Sequence, residues 1–157
     1  MSLKLVIFDV DGLLLDTERV WQDVWYDTAR DFGIDDWKRE DFLNVVGRSG
    51  QPVYDYIEEL FRGRCSTEEF MKVARQHGVE RLERELTAKP GAVELLNCIK
   101  KAGLPCAVAT ATSRSLTEER LTRLQLIQYF DYICCGDEVV ERKPSPEAYL
   151  KVLAKMN

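Results

Sequence analysis

The sequence predicts an α/β fold, in which a Rossmann-like parallel sheet core carries an inserted small α-helical cap domain. Three features of the chain favour this fold. The apolar run Leu5–Phe8 stops abruptly at a carboxylate, residues 17–86 show only helical patterns, and helices alternate with short apolar runs from residue 87 onward. This alternation indicates parallel βαβ units with right-handed crossovers, so the helical block is an insertion between the first strand and the rest of the core.

The first strand ends in two carboxylates, Asp9 and Asp11. The β-prone run before them is typical of a strand that is buried on both faces, and Gly12 permits a sharp turn after them. Residues two apart in an extended backbone point to the same side, and α/β folds bind ligands at the carboxyl ends of their strands. Such a pair can hold a divalent cation, or can divide the roles of nucleophile and proton carrier.

Residues 17–86 form the predicted insertion. Its helix signals are an apolar spacing that ends at Gly33, a helical pattern over residues 50–61, and a Ser66–Glu69 capping box. Because the insertion leaves from the carboxyl end of the first strand, we expect it to cover Asp9 and Asp11 as a lid.

The rest of the core alternates helices and strands. The expected elements are a helix over 92–101, a strand over 105–109, a helix from a Ser115–Glu118 capping box to Leu124, a strand over 130–135, and a last helix capped by Ser145 with Pro146 at its first position. The predicted domains are therefore the core residues 1–16, the α-helical cap 17–86 and the core residues 87–157.

The composition excludes several classes of function. The chain has 157 residues, of which 45% are hydrophobic and 31% charged, and its 22 basic and 27 acidic residues give a net charge of −5. Nucleic-acid binders need a basic footprint, so no nucleic-acid partner is expected. No apolar stretch is long enough to span a membrane or to form a signal-peptide core, so we expect no membrane partner and a cytoplasmic protein.

The cysteine and histidine contents disfavour a zinc site and a disulfide scaffold and exclude a multi-histidine metal site. The five cysteines lack CxxC spacing, which favours neither a zinc site nor a disulfide scaffold. Cys106, Cys134 and Cys135 lie in apolar runs and are expected to be buried. His77 is the only histidine, so a multi-histidine metal site is excluded.

Four residues at or just beyond the carboxyl ends of predicted strands suggest phosphoryl transfer, namely Asp9, Asp11, Thr110 and Lys143. One carboxylate can attack phosphorus and form an aspartyl-phosphate, and the other can protonate the leaving oxygen and then activate water. Attack on an anion needs neutralising charge, which Mg²⁺ and a lysine can supply. A hydroxyl with neighbouring backbone N–H groups, as at Thr110–Ala111, can bind the remaining phosphoryl oxygens.

These residues lie in segments that resemble three motifs of the haloacid dehalogenase superfamily. The segment Asp9-Val10-Asp11-Gly12, followed by Asp16-Thr17, is similar to its first motif, Val108-Ala109-Thr110-Ala111-Thr112 to its second, and Lys143-Pro144-Ser145-Pro146 to its third. The helical insertion resembles the small helical cap of the superfamily. The resemblance is closest to the branch that contains metabolite phosphatases and β-phosphoglucomutase.

The resemblance implies a magnesium-dependent phosphatase that acts on a small phosphorylated metabolite, such as a sugar phosphate, through an aspartyl-phosphate. It implies that Asp9 is the nucleophile and a magnesium ligand. It also implies that Asp11 is the general acid/base and lends its backbone carbonyl to the metal. Lys143 is implied to stabilise the nucleophile and the phosphate, and Thr110 with Ala111 to bind the phosphate.

Substrate choice is expected to depend on the insertion. Arg48 lies in a turn from which it can reach an anionic substrate group, although a solvated surface position fits it equally. His77 lies where cap residues of relatives contact substrates. Thr17 is expected to begin the helix after the first motif and also to orient Asp11. In the β-phosphoglucomutase type, the position of Trp21 carries a histidine that assists catalysis, so Trp21 disfavours a phosphomutase.

Alternative functions remain open at this point. A phosphomutase of the β-phosphoglucomutase type would use the same motifs, and a non-catalytic phosphate-binding or interaction module would keep the fold without turnover. Thr110 and Lys143 also fit a strand-end hydroxyl and a solvated surface charge. A phospho-acceptor receiver domain has no helical block after its first strand, and a 2-haloacid dehalogenase does not need Asp11.

The end of the sequence departs from the resemblance. Members of the superfamily continue with a strand that carries a fourth, acidic motif completing the magnesium shell, and no such motif follows Lys143. We therefore expect a C-terminally truncated chain with an incomplete sheet, weakened magnesium binding and low or absent turnover. The intact parent is expected to be a monomer, whereas here the first strand is expected to be an exposed edge that pairs with another chain or aggregates.

Overall fold

The computed structural model describes residues 3–47 and 50–156. These residues divide into two compact units. The first comprises the described residues up to Asp16 together with those from Thr87 onward, and the second is Thr17–Leu86. Among the described residues, none of the helices combines the length and the apolarity that a membrane crossing requires.

The regular elements of the described residues are three β-strands, six α-helices and two short 3₁₀ helices. In chain order they are β1 (Val6–Phe8), α1 (Thr17–Asp31), a 3₁₀ helix (Arg39–Asn44), α2 (Gln51–Phe61), α3 (Thr67–Glu85), α4 (Ala92–Lys101), β2 (Cys106–Ala109), α5 (Arg114–Arg123), a 3₁₀ helix (Ile127–Tyr129), β3 (Tyr132–Cys134) and α6 (Glu147–Met156). The predicted strands and α-helices are all present, and the two 3₁₀ helices were not predicted.

The first unit is built on a parallel sheet with the strand order β1-β2-β3. Phe8 lies opposite Val108, and Ala109 lies opposite Cys134. This register brings the three carboxyl ends to one edge of the sheet. The predicted α/β class with a parallel sheet is therefore confirmed.

Small residues on the sheet allow α6 to approach it closely. Ala107, Ala109 and Cys134 are fully buried and form a core cluster with Ala148 and Val152 of α6. The thiols of Cys106, Cys134 and Cys135 are buried as predicted. Larger side chains at these strand positions would push α6 away from the sheet, because protein interiors are close-packed.

Strand β1 differs from the prediction in its burial. Phe8 is buried, but Val6 and Ile7 are only half-buried, so the expectation of burial on both faces is wrong for these two residues. The reason is the strand order, because within the described residues β1 pairs with β2 alone and forms an edge of the sheet. The backbone groups on the outer side of β1 therefore have no strand partner among these residues.

Aromatic side chains fill the core of the second unit. The ring of Trp25 lies 5.2 Å from that of Phe42 and 5.6 Å from that of Phe70, and the rings of Phe61 and Phe70 are 4.8 Å apart. These pairs are edge-to-face, the geometry that aromatic quadrupoles favour. Helices α1 and α3 also approach through Gly78, where a Cβ would stand 2.2 Å from the Trp21 ring.

One helix start agrees with the sequence, one is a residue later than predicted and one is wrong. Ser66 Oγ accepts the N–H of Glu69 at 3.3 Å, as expected of an N-cap. Ser145 Oγ accepts the N–H of Glu147 at 3.3 Å, but α6 begins at Glu147, so Pro146 lies just before the helix and not at its first position. The predicted capping box at Ser115 is wrong, because α5 already begins at Arg114. Its first N–H is accepted at 3.0 Å by the distant carboxylate of Asp137, a tertiary contact that local sequence does not reveal.

Candidate active site

The carboxylate of Asp9 and the ammonium of Lys143 meet beyond the carboxyl ends of β1 and β2. Lys143 Nζ donates to Asp9 Oδ1 at 2.9 Å and to the carbonyl oxygen of Ala109 at 3.0 Å. The Lys143 side chain is 24% exposed and that of Asp9 is 37% exposed, so a small molecule can reach the pair. The first and third motif segments therefore come together at one place.

The surroundings of Lys143 fix its charge. Burial by itself lowers the pKa of a lysine, but the hydrogen bond and negative charge of Asp9 outweigh burial and raise the pKa of Lys143 above its ordinary value of 10.5. The Nζ atom also lies 5.1 Å from the centre of the Tyr149 ring, within the range of a cation–π attraction. Lys143 is therefore a cation at neutral pH and can neutralise an anion beside Asp9.

The second carboxylate, Asp11, is held through both of its oxygens. Thr112 Oγ1 donates to Asp11 Oδ2 at 2.6 Å, and Arg120 Nη1 donates to Asp11 Oδ1 at 3.2 Å. The backbone turns immediately after Asp11, where Gly12 has a φ of 75°. The turn directs the chain away from β1 while the Asp11 side chain stays beside the loop that follows β2.

The loop after β2 is folded by bonds to its neighbours. The N–H of Thr110 donates to the carbonyl of Cys134 at 3.0 Å, and Thr110 Oγ1 accepts the N–H of Thr112 at 3.2 Å. Gly136, which follows β3, donates its N–H to the carbonyl of Thr112 at 2.9 Å. A Cβ at Gly136 would stand 2.0 Å from the backbone oxygen of Ala111, so only glycine fits this approach without a shift.

A charged network joins the loop after β3 to the start of α5. The guanidinium of Arg114 donates to Glu138 Oε1 at 2.9 Å and to Glu138 Oε2 at 2.7 Å, and it also bonds Glu118 at 2.7 Å. Glu138 additionally accepts the N–H of Cys135 at 2.8 Å. The hydrogen bonds from Arg114 and Cys135 outweigh burial and lower the pKa of Glu138. Glu138 thus bonds the backbone of the loop after β3, and Asp137 bonds the first N–H of α5.

The oxygen atoms that follow β1 suit a magnesium ion, because they are hard donors and because they are few. The Asp9 carboxylate and the backbone carbonyl of Asp11 are hard oxygens of the kind that Mg²⁺ prefers, whereas both side-chain oxygens of Asp11 are already bonded. Among the residues that the structure describes, no group of three or more acidic, histidine or cysteine side chains converges. Because Mg²⁺ usually keeps several waters and uses one or two carboxylates plus substrate phosphate, this donor set fits it.

Two other predicted site residues, Thr17 and His77, belong to the second unit. Thr17 is the buried first residue of α1. His77 lies on α3, where its Nδ1 is 3.5 Å from Oγ1 of the buried Thr28 on α1. Arg48 falls outside the described residues.

An apolar cavity of about 400 Å³ lies within the second unit. Its lining includes the rings of Trp21, Trp25 and Tyr54 together with Arg75. A cavity of this size, mostly apolar with one cationic group, is typical of a pocket for a small organic molecule.

Three residues of the site were not identified from the sequence. Thr112 had a usable signal, since it lies two positions after Thr110 and alternation would direct it toward the same side. Arg120 and Gly136 had none, because their partners Asp11 and Ala111 are distant in sequence and each contact depends on the strand order.

Comparison with known proteins gives one family and several relatives. A sequence model for the family described as haloacid dehalogenase-like hydrolase matches residues 6–157. A phosphorylated carbohydrates phosphatase from Thermotoga maritima is 34% identical over 158 residues, covering 99% of this chain and 71% of that protein.

Solved structures share the fold along nearly the whole chain. A predicted β-phosphoglucomutase from Thermotoga maritima matches with a TM-score of 0.76 and 31% identity, covering 99% of this chain and 71% of the other. A variant of CbbY from Rhodobacter sphaeroides, solved in complex with xylulose-(1,5)-bisphosphate, matches with a TM-score of 0.64 and 27% identity, covering 99% and 73%.

Proposed function

The chain belongs to the haloacid dehalogenase-like hydrolase family, and from this premise we propose that it is a magnesium-dependent phosphatase of a small sugar phosphate. The proposed reaction proceeds through an aspartyl-phosphate on Asp9. The observation that carries the proposal is the bond of 2.9 Å between Lys143 Nζ and Asp9 Oδ1. It places a fixed cation beside an accessible carboxylate, which is what an attack on a phosphate anion requires.

In the first half-reaction an oxygen of the Asp9 carboxylate attacks phosphorus, and the bond from phosphorus to the leaving oxygen breaks. The leaving oxygen takes a proton from the Asp11 carboxyl group, which gives an alcohol, an Asp11 carboxylate and the aspartyl-phosphate. Lys143, the hydroxyl of Thr110 and the backbone N–H of Ala111 stabilise the charge on the remaining phosphoryl oxygens.

In the second half-reaction the Asp11 carboxylate takes a proton from water, and the resulting hydroxide adds to phosphorus. The bond between phosphorus and the Asp9 oxygen breaks, which releases inorganic phosphate and restores the Asp9 carboxylate. Asp11 is again protonated and the cycle is closed. One residue can serve as acid and then as base because its protonation state after the first step is the one that the second step needs.

When bound, Mg²⁺ supplies positive charge to the phosphoryl oxygens. The Asp9 carboxylate and the Asp11 backbone carbonyl are the groups that would hold it. In this assignment the side-chain oxygens of Asp11, which accept from Thr112 and Arg120, do not bind the metal, so the metal and the transferred proton do not compete for the same atoms.

The relatives support a sugar phosphate as the substrate class. One of them is named for phosphorylated carbohydrates, and CbbY was solved with a sugar bisphosphate. The second unit is proposed to be the cap that selects the substrate, with Arg48, His77 and Thr17 as candidate contacts. Trp21 stands where a phosphomutase of the β-phosphoglucomutase type has its catalytic histidine, so the phosphatase is preferred.

The direct test replaces the nucleophile. Asp9→Asn keeps an oxygen for Lys143 Nζ but cannot form an acyl phosphate, so it is expected to abolish phosphate release from sugar phosphates without lowering the thermal midpoint. Asp36→Asn makes the same chemical change at an exposed ion pair with Arg64 and serves as the control. Phosphate release is measured with Mg²⁺ and with EDTA. Turnover that survives Asp9→Asn would place the nucleophile elsewhere.

A substrate screen completes the test. Release of inorganic phosphate from a panel of aldose, ketose and alditol phosphates identifies the preferred leaving group. A preference for phosphorylated carboxylic acids or nucleotides over all of these would contradict the proposed class while leaving the Asp9 chemistry intact.

A further inference from the structure

Arg120 reaches from α5 to the carboxylate of Asp11. Its Nη1 atom lies 3.2 Å from Asp11 Oδ1, although the two residues are 109 positions apart in the chain. The Arg120 side chain is only 13% exposed, while that of Asp11 is 34% exposed. The contact is therefore half-desolvated, unlike a surface ion pair, whose contribution is usually small.

Arg120 and Thr112 hold different oxygens of the same carboxylate. Thr112 Oγ1 donates to Oδ2 at 2.6 Å while Arg120 donates to Oδ1. A carboxylate held at one oxygen can still rotate, whereas one held at both oxygens has a fixed plane. Proton transfer in catalysis depends strongly on such positioning, because the donor oxygen must lie within hydrogen-bond reach of the leaving oxygen.

We propose that Arg120 is a positioning residue that orients Asp11 for proton transfer to the leaving group. The inference rests on the proposed function and adds a specific role within it. Arg120 touches neither the phosphate nor the nucleophile in this role, and it acts only through Asp11. An arginine suits this task because its rigid, planar head bonds carboxylates directionally.

The test compares two substrates that differ in their need for a proton. The change is Arg120→Met, which keeps the length of the stem and removes the charge. A sugar phosphate leaves as an alkoxide and needs protonation, so its kcat/KM is expected to fall about 10- to 100-fold. p-Nitrophenyl phosphate leaves as a stable phenolate, so its kcat/KM is expected to change less than about threefold.

Two matched variants accompany this change. Arg123→Met removes an arginine from the same helix, where it pairs with Glu119 at 3.3 Å, and it is expected to leave both kcat/KM values unaltered. Arg120→Lys restores a cation without the planar head and is expected to recover part of the loss with the sugar phosphate. An equal fall with both substrates in Arg120→Met would indicate a general structural defect and overturn the proposal.

A double-mutant cycle isolates the action through Asp11. In an Asp11→Asn background the further change Arg120→Met is expected to have no additional effect on the sugar phosphate, because the carboxylate that Arg120 orients is gone. Effects that simply multiply would overturn the proposal. Such a result would leave the proposed function standing, provided that Asp9→Asn still abolishes phosphate release.

A crystal structure of Arg120→Met gives a readout that does not depend on turnover. The Asp11 carboxylate is expected to rotate or to show two conformers, with the bond from Thr112 lengthened or lost. An unchanged Asp11 beside Thr112 would overturn the proposal even if the wild-type chain hydrolysed no phosphate ester. Absence of turnover in the wild type would instead contradict the proposed function.

Discussion

Lys143 donates to Asp9 at 2.9 Å across a separation of 134 residues in the chain. The two residues belong to different parts of the core, since Asp9 lies just after β1 and Lys143 lies between β3 and α6. The parallel sheet and the packing of α6 against it bring them together. This contact links the N-terminal and C-terminal segments of the core through one ion pair. After Asp9, Lys143 is therefore the most direct residue to replace in a test of the site.

Replacing Lys143 by Met is expected to lower kcat for phosphate release about 10²- to 10³-fold, the usual effect of removing one group that stabilises transition-state charge. The thermal midpoint is expected to change little, because the Asp9 carboxylate is partly exposed and water can solvate it. Lys151→Met, which removes an α6 lysine paired with Glu147 at 3.1 Å, is the control. Equal activities of the two variants would refute a role for Lys143.

Replacing Gly136 by Ala is expected to damage both stability and activity. The new Cβ would stand 2.0 Å from the backbone oxygen of Ala111, so the loop of the second motif must move. Overpacking of this kind typically costs about 1–3 kcal/mol, and phosphate release is expected to fall because the donors of Thr110 and Ala111 are displaced. Stability is measured by urea denaturation and activity by phosphate release.

The control for this change is Gly103→Ala. Gly103 has open space around its Cβ position but a φ of +65°, so the variant bears backbone strain alone. Such strain costs about 1–2 kcal/mol. The Gly103→Ala variant is therefore expected to lose stability and to keep its activity. An active Gly136→Ala variant would show that the loop tolerates displacement.

The sequence predicted the local parts of this molecule and missed those that depend on long-range contacts. Apolar runs and capping residues located β2, α4, the start of α3 and, to within one residue, the start of α6, because these signals act within a few residues. The start of α5 was misplaced, since Asp137 caps it from the other side of the loop.

The candidate site shows the same division. The sequence identifies Asp9, Asp11 and Lys143 because each follows a predicted strand or lies in a recognisable motif. Arg120 and Gly136 escaped notice because their importance comes from a contact and a steric limit that exist only once β1, β2 and β3 are in register. The partial exposure of Val6 and Ile7 likewise depends on strand order rather than on the apolar run itself.

The ion pair between Glu138 and Arg114 is expected to make the free energy of unfolding depend on pH in the acidic range. Because the hydrogen bond from Arg114 lowers the pKa of Glu138 in the folded state, this stabilisation is complete above the ordinary value of 4.5 and is lost as pH falls through the folded value. Glu138→Gln is expected to lower stability at neutral pH and to flatten its decline in acid. Urea denaturation at a series of pH values, from neutral to below the folded pKa of Glu138, measures both effects.

Arg114→Met removes the other member of the pair, and together with Glu138→Gln and the double variant it forms a double-mutant cycle. It is expected to flatten the acid decline in the same way, and the double variant is expected to add little, because either change alone already breaks the pair. A Glu138→Gln variant whose stability falls with acid as steeply as that of the wild type would show that other carboxyl groups control acid unfolding.

Cysteine reactivity is expected to follow burial. Burial and the nearby charge of Asp131 raise the pKa of the Cys106 thiol to about 11, so it is protonated at mildly alkaline pH, whereas Cys98 is exposed. Brief alkylation of the native chain with iodoacetamide, read by mass spectrometry, is expected to label Cys98 first and Cys106 only in urea. Equal labelling rates in the native chain would contradict the burial of β2.

Trp37 is expected to tolerate replacement by Phe better than its burial suggests. The residue is 3% exposed, and its ring lies 5.9 Å from the Trp25 ring and 5.8 Å from the Phe61 ring. Within the described part of the chain, its buried Nε1 has no hydrogen-bond partner.

Phe keeps an aromatic ring and removes a buried donor whose desolvation typically costs about 1–3 kcal/mol. Trp37→Phe is therefore expected to cost less than about 1.5 kcal/mol, whereas Trp37→Leu, which also loses the ring contacts, is expected to cost about 2–4 kcal/mol. Urea denaturation of both variants measures these losses, and a Trp37→Phe loss well above about 1.5 kcal/mol would mean that removing the unpartnered indole N–H brings no relief.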